Sequence, residues 1–402
     1  MRNKIAIYSG TVPSTIFIET LIKSLSDKNL DIYLFGKRNT KAFNYLSPNI
    51  KVFDSPTGKF KRIFYFLEQV SRLAFFKPVT FFKLLFYFKN NLYHNNDNLI
   101  FWLDKIAPVI NNLPDIFHIQ WAKSLRFWFF LRELFDTKII LSLRGAHINY
   151  SPLADNKLAK EYKTLFPNID FFHAVSKSIM EEASKYADIE KKTKVIYSGF
   201  DFSKLKNLNL KERNNKNKKK EFHFISVGRF HWKKAFHLSI IAINKLFNMG
   251  LNVTYTIIAN DKPSEEILYQ IRDLGISKNI FLKKVSTQDQ IYQEIYNSDC
   301  LILPSVEEGI ANVVIESMAI GTQVISSDCG GMNEIIIDEY NGFLFRSRDS
   351  KDLVNKMKKI IFLDDIEKKL IIKKGKETIE NKFSINKLGN EMEKIYSNVL
   401  KT

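Results

Sequence analysis

The chain is 402 residues long, with a net charge of +18, 45% hydrophobic and 26% charged residues. That length fits two ordinary domains with full cores, and the composition is globular rather than disordered or fibrous. No apolar run approaches the roughly 18 residues of a membrane span, the opening residues 1–8 are too short an apolar segment for a secretory leader, and Cys300 and Cys329 lack metal-ligand spacing, so a reduced, cytosolic compartment is expected.

In chain order, short apolar runs predict strands at 5–8, 31–35, 115–119, 138–143, 171–175 and 194–197, then at 223–227, 254–258, 280–283, 300–303 and 323–326. Helical spacing predicts helices between them, at 16–27, 177–187, 235–249, 263–274 and 288–297. Alternating strands and helices define an α/β chain with parallel sheets. Residues 203–220 break the rhythm: Asn214-Asn215-Lys216-Asn217-Lys218-Lys219-Lys220 is polar and coreless and reads as an exposed linker. The expected organisation is a first domain over 1–202, the linker, and a second domain over 221–384. A last helix from about 385 to 402 would pack back on the first domain.

Ser9-Gly10-Thr11 follows the first strand, where Gly10 would let backbone approach a ligand. Glu19, beyond it, reads as a helix-face charge. Residues 1–150 hold 21 Lys/Arg against 10 Asp/Glu, and 59–94 are the sharpest part, with seven Lys/Arg, one Glu and twelve Phe or Tyr. Their spacing predicts helices with wide apolar faces. Such helices either pack in a core or lie on an anionic membrane surface. Interleaved basic and aromatic residues can also bind single strands, but no nucleic-acid motif accompanies them, so no nucleic-acid partner is expected.

The strand at 138–143 runs into Arg144-Gly145-Ala146-His147. Arg144 offers a fixed positive charge that could hold a phosphate, and His147, three residues on, reads from its setting as a loop histidine. The strand at 223–227 runs into Gly228-Arg229-Phe230-His231-Trp232-Lys233-Lys234-Ala235. Arg229 and Lys234, with Lys233 as an alternative, offer fixed positive charge of the kind that holds a phosphate. The strand at 300–303 ends at Pro304 and leads through Glu308 and Gly309 to a helix that should begin at a capping Asn312 and carry Glu316. Backbone N–H groups of Gly309–Val313 would face the same crevice, where a helix start favours phosphate.

Glu308-Gly309-Ile310-Ala311-Asn312-Val313-Val314-Ile315-Glu316-Ser317-Met318-Ala319-Ile320-Gly321 resembles the E-G-x-x-N-V-x-x-E-x-M-A-x-G signature of family 4 retaining glycosyltransferases, the glycosyl transferases group 1 family. Cys329-Gly330-Gly331-Met332-Asn333-Glu334 resembles its Gly-Gly-x-x-Glu turn. Val227-Gly228-Arg229 through Lys234 resembles its V-G-R-L-x-x-x-K-G, with Ala235 where glycine is usual. Pro13-Ser14-Thr15-Ile16-Phe17-Ile18 looks like a loop of members that build surface polysaccharides. Asp115–Trp121 and 195–201 resemble further family segments, whereas 257–263 lacks the family's glycines and Arg144 stands where the family has histidine.

The resemblance implies the GT-B fold, two doubly wound Rossmann-like domains facing across a cleft. It implies a retaining transferase that moves a sugar from a nucleoside-diphosphate donor to a hydroxyl, the acceptor being a saccharide or lipid-linked saccharide of bacterial surface polysaccharide synthesis. Arg229 and Lys234 would hold the diphosphate, Glu316 the ribose, and Glu308 the donor sugar. Gly309, Asn312 and Val313 would contact phosphate or sugar, Gly10 would let the first domain close over the donor, and Arg144 and His147 would serve the acceptor side. No metal or other cofactor is required, and the protein would be cytoplasmic, peripheral on the inner face of the membrane. The alternatives are a sugar-nucleotide epimerase of the same fold and a non-catalytic basic binder.

Overall fold

The structure, a computed structural model, describes residues 2–39, 45, 47–91, 99–206 and 221–401. It divides into two compact units, one of Met1–Ala174, Ala183–Lys194 and Gly389–Thr402, the other of Val175–Glu182 and Val195–Leu388. The chain thus leaves the first unit at Lys194, upstream of the segment read as a linker. Of that segment, Ser203–Lys206 forms one helical turn and 207–220 lie outside the described residues.

The first unit holds strands β1 (Asn3–Val12), β2 (Leu30–Arg38), β3 (Ile50–Ser55), β4 (Ile116–Ile119), β5 (Lys138–Leu143), β6 (Phe171–Ala174) and β7 (Thr193–Val195). Their order is β3-β2-β1-β4-β5-β6-β7, parallel from β3 to β6. Successive residues Ile5, Ala6 and Ile7 are all buried, as are Ile139, Ile140 and Leu141. A parallel sheet covered on both faces needs such unbroken apolar runs, which is why these strands do not alternate. The sheet's order reverses between β1 and β4.

The second unit holds β8 (Phe222–Val227), β9 (Val253–Ile258), β10 (Ile280–Lys283), β11 (Cys300–Leu303), β12 (Gln323–Asp328) and β13 (Phe343–Arg346). The order is β10-β9-β8-β11-β12-β13, all parallel, with the reversal between β8 and β11. Phe224, Cys300 and Ile302 enter one core with Ile240, Ile243 and Tyr255. Their neighbours Ile225, Leu301 and Leu303 enter a second core with Val314, Ile315 and Met318. The period of two divides each strand between the two helical layers.

Two strands escape the sequence reading. β3 is an edge strand whose Lys51 and Val52 are exposed, so its apolar run is broken by polar residues. β13 has four residues and follows directly on Asn341-Gly342. β1 runs on to Val12, with Gly10 at a register shift against β2 instead of in a free turn. The helix carrying Glu316 spans Asn312–Ile320 and its N-cap is Ala311, which has no side-chain cap bond; Asn312 is the first helical residue and not the cap. The helix Ile385–Val399 ends the fold, and from Gly389 it belongs to the first unit. A Cβ on Gly389 would lie 2.2 Å from the Ser24 carbonyl oxygen, so only glycine allows this approach.

The basic aromatic segment forms helices Lys59–Phe76 and Pro78–Asn91. Only Gln69 and Leu73 of the first are buried, with Leu84 and Phe88 of the second. Phe60, Phe64, Phe75, Phe76, Val79, Phe82 and Phe86 are between 67% and 86% exposed. For these residues the core alternative fails. No described helix is long and apolar enough to cross a membrane.

Candidate active site

Ligands of open parallel sheets bind beyond the carboxyl ends of the strands where the order reverses. In the second unit that place lies between β8 and β11. Gly228 closes β8 and donates its N–H to Ile258 O at 2.9 Å. The chain then makes a short turn over Trp232–Lys234, whose stem at Lys234 lies on Gly228: a Cβ there would sit 3.2 Å from Lys234 Cε. Beyond β11, Val306 N donates to Lys233 O at 2.8 Å and ties the two turns together.

This bond brings the charges into register. Lys234 Nζ donates to Glu308 Oε1 at 2.7 Å, Lys233 Nζ stands 3.7 Å from Glu308 Oε2, and Ser305 Oγ donates to Oε1 at 3.1 Å. All three charged side chains are largely buried. Burial raises the Glu308 pKa, but the two ammonium groups outweigh it and hold the carboxyl below its ordinary range. Glu308 is therefore ionised at neutral pH. Both lysines reach it, which leaves Lys234 as the direct partner and Lys233 as the second cation.

Arg229 is exposed and follows β8 at once. After burial, Arg229 and Lys233 are the main reasons that the His231 pKa is lowered, so positive potential gathers on this edge. Ala235 adopts a left-handed conformation, φ 46°, at the position where the family pattern has glycine. That conformation costs an L-residue with a Cβ about 1–2 kcal/mol.

Glu316 lies on the helix after this loop but has partners of its own. Gln288 Nε2 donates to its Oε1 at 3.2 Å and Tyr292 Oη at 3.3 Å. Burial raises its pKa to about 7, with Lys204 opposing. The contacts of Glu316 thus come from the helix Gln288–Asn297, and Glu316 does not join the Lys234–Glu308 pair. Neither Gln288 nor Tyr292 stood out in the sequence, since nothing local marks a partner across helices.

The loop after β12 closes the site from a third side. Gly331 N donates to Gly309 O at 2.8 Å. At Gly330, φ 52°, a Cβ would fall 1.7 Å from Glu308 O, so no other residue could sit against this backbone. Glu334 receives the N–H groups of Lys177 (2.9 Å) and Ser178 (3.2 Å) and the Tyr197 hydroxyl (3.0 Å). It caps the start of the helix Lys177–Ser184, where negative charge is favoured. Gly309, Asn312 and Val313 lie between these loops and the helix start, whose first N–H groups have no intrahelical acceptor by position.

In the first unit, Gly10 has φ 86° within β1. Arg144 follows β5 and is only 9% exposed. Its Nη2 donates to Gln120 Oε1 at 3.1 Å, its guanidinium lies 5.0 Å above the Phe17 ring, and its Nε has no hydrogen-bond partner. Burial lowers its pKa to about 10, so it stays charged at neutral pH. Gln120 connects it to a buried network that the sequence did not reveal. His118 Nδ1 meets Tyr396 Oη at 2.8 Å and its Nε2 meets Ser142 Oγ at 2.9 Å, while Ser142 Oγ meets His173 Nδ1 at 3.0 Å. The network joins β4, β5, β6 and the last helix. His147 sits in a separate short turn, Ala146–Asn149, with its ring 5.3 Å from Trp121 and its Nδ1 without a partner. Burial, with Lys123 next, lowers its pKa to about 4, so its ring is neutral at pH 7.

Residues 209–378 match the family described as Glycosyl transferases group 1. That match covers less than half of the chain, and the two Rossmann-like units are those of the GT-B fold class. Among curated relatives, the capsular polysaccharide biosynthesis glycosyltransferase CapM of Staphylococcus aureus is 26% identical over 252 residues, 59% of this chain. The chain spans 65% of CapM's length, just under two thirds. The UDP-Gal:alpha-D-GlcNAc-diphosphoundecaprenol alpha-1,3-galactosyltransferase of Escherichia coli is 22% identical over 385 residues, covering 92% of this chain and 90% of that one. Among solved structures, Anabaena Alr3699/HepE in complex with UDP-glucose superposes with a TM-score of 0.69 at 17% identity, covering 98% of this chain and 99% of that chain. That likeness concerns the fold.

Proposed function

We propose that the chain is a retaining glycosyltransferase that moves a sugar from a nucleoside-diphosphate donor to a hydroxyl of a saccharide, carried on a lipid, in bacterial surface polysaccharide synthesis. The observation that carries this reading is the Lys234–Glu308 pair at the strand reversal, backed by Lys233. A donor diphosphate brings two negative groups to this edge. Lys234 would turn from Glu308 to phosphate, joined by Lys233 and Arg229, and would stabilise the charge that builds as the sugar leaves. Glu308, thereby released, faces the sugar and supports positive character at its anomeric carbon. Glu316 receives ribose hydroxyls, and the N–H groups about Gly309–Val313 add phosphate or sugar contacts.

Retention requires the acceptor oxygen to approach the face that the diphosphate leaves, where the departing phosphate oxygen is the nearest base for its proton. Arg144 and His147 serve the acceptor side in this reading, Arg144 as a fixed charge and His147 as a neutral imidazole. The cations replace a metal at the leaving group, so turnover survives EDTA. The exposed aromatic and basic faces of Lys59–Phe76 and Pro78–Asn91 fit an anionic membrane surface, where a lipid-linked acceptor resides. The E. coli relative is named for a diphosphoundecaprenol-linked acceptor and the S. aureus relative for capsular polysaccharide biosynthesis. The protein is thus read as cytoplasmic and peripheral on the inner leaflet.

The test is a nucleotide-release screen over UDP-, GDP- and ADP-sugars with a lipid-linked acceptor extract, followed by NMR of the new linkage. The reading expects one donor to turn over only with acceptor and to keep its anomeric configuration. No release with any donor, or sugar-nucleotide isomerisation without acceptor, overturns it.

A further inference from the structure

Glu316 takes both of its donors on one oxygen. Gln288 Nε2 and Tyr292 Oη reach Oε1 at 3.2 and 3.3 Å, whereas Oε2 has no donor among the described residues and is not sealed from solvent. We infer that Gln288 and Tyr292 are positioning residues of the nucleotide site: they hold Oε1 so that Oε2 is left to receive the hydroxyls of a sugar nucleotide. The inference rests on the transferase reading above.

The arrangement begins in local sequence. Thr287-Gln288-Asp289-Gln290 makes a capping box, in which the Thr287 hydroxyl accepts the Gln290 N–H and the Gln290 side chain accepts the Thr287 N–H, both at 3.3 Å. The box pins the first turn, and Gln288 lies in it. Tyr292 is four residues on, hence on the same helix face. Its ring is 1% exposed, lies 6.2 Å from that of Phe200 and shares a core with Val314 and Ile315, so its hydroxyl is held at Glu316 by packing. A glutamate side chain is long and samples several rotamers, and two fixed donors on one oxygen select among them.

The charge on Glu316 depends on the same neighbours. Burial raises its pKa to about 7, opposed by Lys204, then Tyr292, then Gln288. Burial, with Glu316 next, raises the Tyr292 pKa, so its hydroxyl stays a donor at neutral pH. Asp289 acts on Tyr292 from the same helix. Lys376, on the helix Asp365–Lys382 that packs against the Glu316 helix, lies at Gly321, beyond its far end. Ligand hydroxyls donate best to an ionised carboxylate. Binding therefore expels the proton that Glu316 holds below about pH 7, and affinity falls as pH drops through that value. Losing either donor disfavours the ion and moves the fall to higher pH.

The test is calorimetric titration of the full chain with UDP-, GDP- and ADP-glucose from pH 5.5 to 9. A sugar nucleotide has no phosphate monoester, whose second proton leaves near pH 6, so its own charge is constant. The expected result is one sugar nucleotide bound about five- to tenfold more weakly at pH 6 than at pH 8, with this dependence absent in Glu316→Gln. Tyr292→Phe and Gln288→Leu should each move the midpoint of the fall upward by about half a pH unit or more. A merely structural loss lowers affinity equally at every pH, and circular dichroism checks that both variants fold. Affinity independent of pH in the wild type, or variant curves parallel to it, overturns the inference alone. Absence of binding by every sugar nucleotide overturns the transferase reading and the inference with it.

Discussion

Lys234 Nζ and Glu308 Oε1 meet at 2.7 Å, joining the turn after β8 to the loop after β11. They stand 74 positions apart in the chain. The pair links the two loops, and in the proposed reading both members change partners when a donor binds. Removing either partner should therefore affect binding and turnover differently. Glu308→Gln is expected to lower kcat by about 10²–10³-fold, the scale of losing one transition-state contact, with a smaller change in KM. Lys234→Ala should weaken nucleoside-diphosphate binding, with Lys234→Arg restoring part of it. Steady-state kinetics and calorimetric titration read both effects, and circular dichroism checks that the variants fold.

Glu316 makes a pH prediction. Its carboxyl rises from an ordinary value near 4.5 to about 7 in the folded chain, because burial disfavours the ion. Between those values the folded state holds a proton that the unfolded state has lost. This contribution is therefore fully present below about pH 4.5 and lost as pH rises through 7. Thermal melts from pH 4 to 8 should show the wild type losing stability relative to Glu316→Gln across that window. Parallel curves would show that the carboxyl is not perturbed.

Ala235 carries a left-handed backbone, and Ala235→Gly removes the Cβ that makes it strained. A gain of about 0.5–1 kcal/mol is expected, part of the strain being offset by the greater freedom of glycine in the unfolded chain. Urea denaturation measures it, and an unchanged or lower midpoint speaks against strain at this turn.

The helices Lys59–Phe76 and Pro78–Asn91 should carry membrane affinity. Replacing Phe64, Phe75, Phe82 and Phe86 with serine removes about 1.5–3 kcal/mol for each ring that becomes fully buried in lipid. Co-sedimentation with phosphatidylglycerol vesicles should fall below detection in this variant. In the wild type it should decline as salt rises, because the lysines and arginines contribute through screened attraction. Equal binding to neutral vesicles, or no effect of the substitutions, would contradict the assignment.

The sheets were legible because buried parallel strands write unbroken apolar runs, as at 138–143 and 300–303. The edge strands β3 and β13 were not, since an edge tolerates polar residues and needs few of them. Gly228, Lys234, Glu308 and Gly330 were legible because each lies one short loop beyond a strand. Tyr292, Gln288 and the His118–Ser142–His173 network were hidden, because their partners come from distant segments and their own neighbours show no pattern. The basic aromatic stretch gave its helices but left its exposure open. Lysine and phenylalanine at helical spacing fit a core or a surface equally well until packing shows which rings remain uncovered.

The most direct test of the account is a crystal structure with the sugar nucleotide that the donor screen selects. The account predicts diphosphate within hydrogen-bond distance of Lys234 Nζ, the Lys234–Glu308 contact opened, and the sugar against the Glu308 carboxylate. A nucleotide bound elsewhere, with that contact still closed at 2.7 Å, would contradict it.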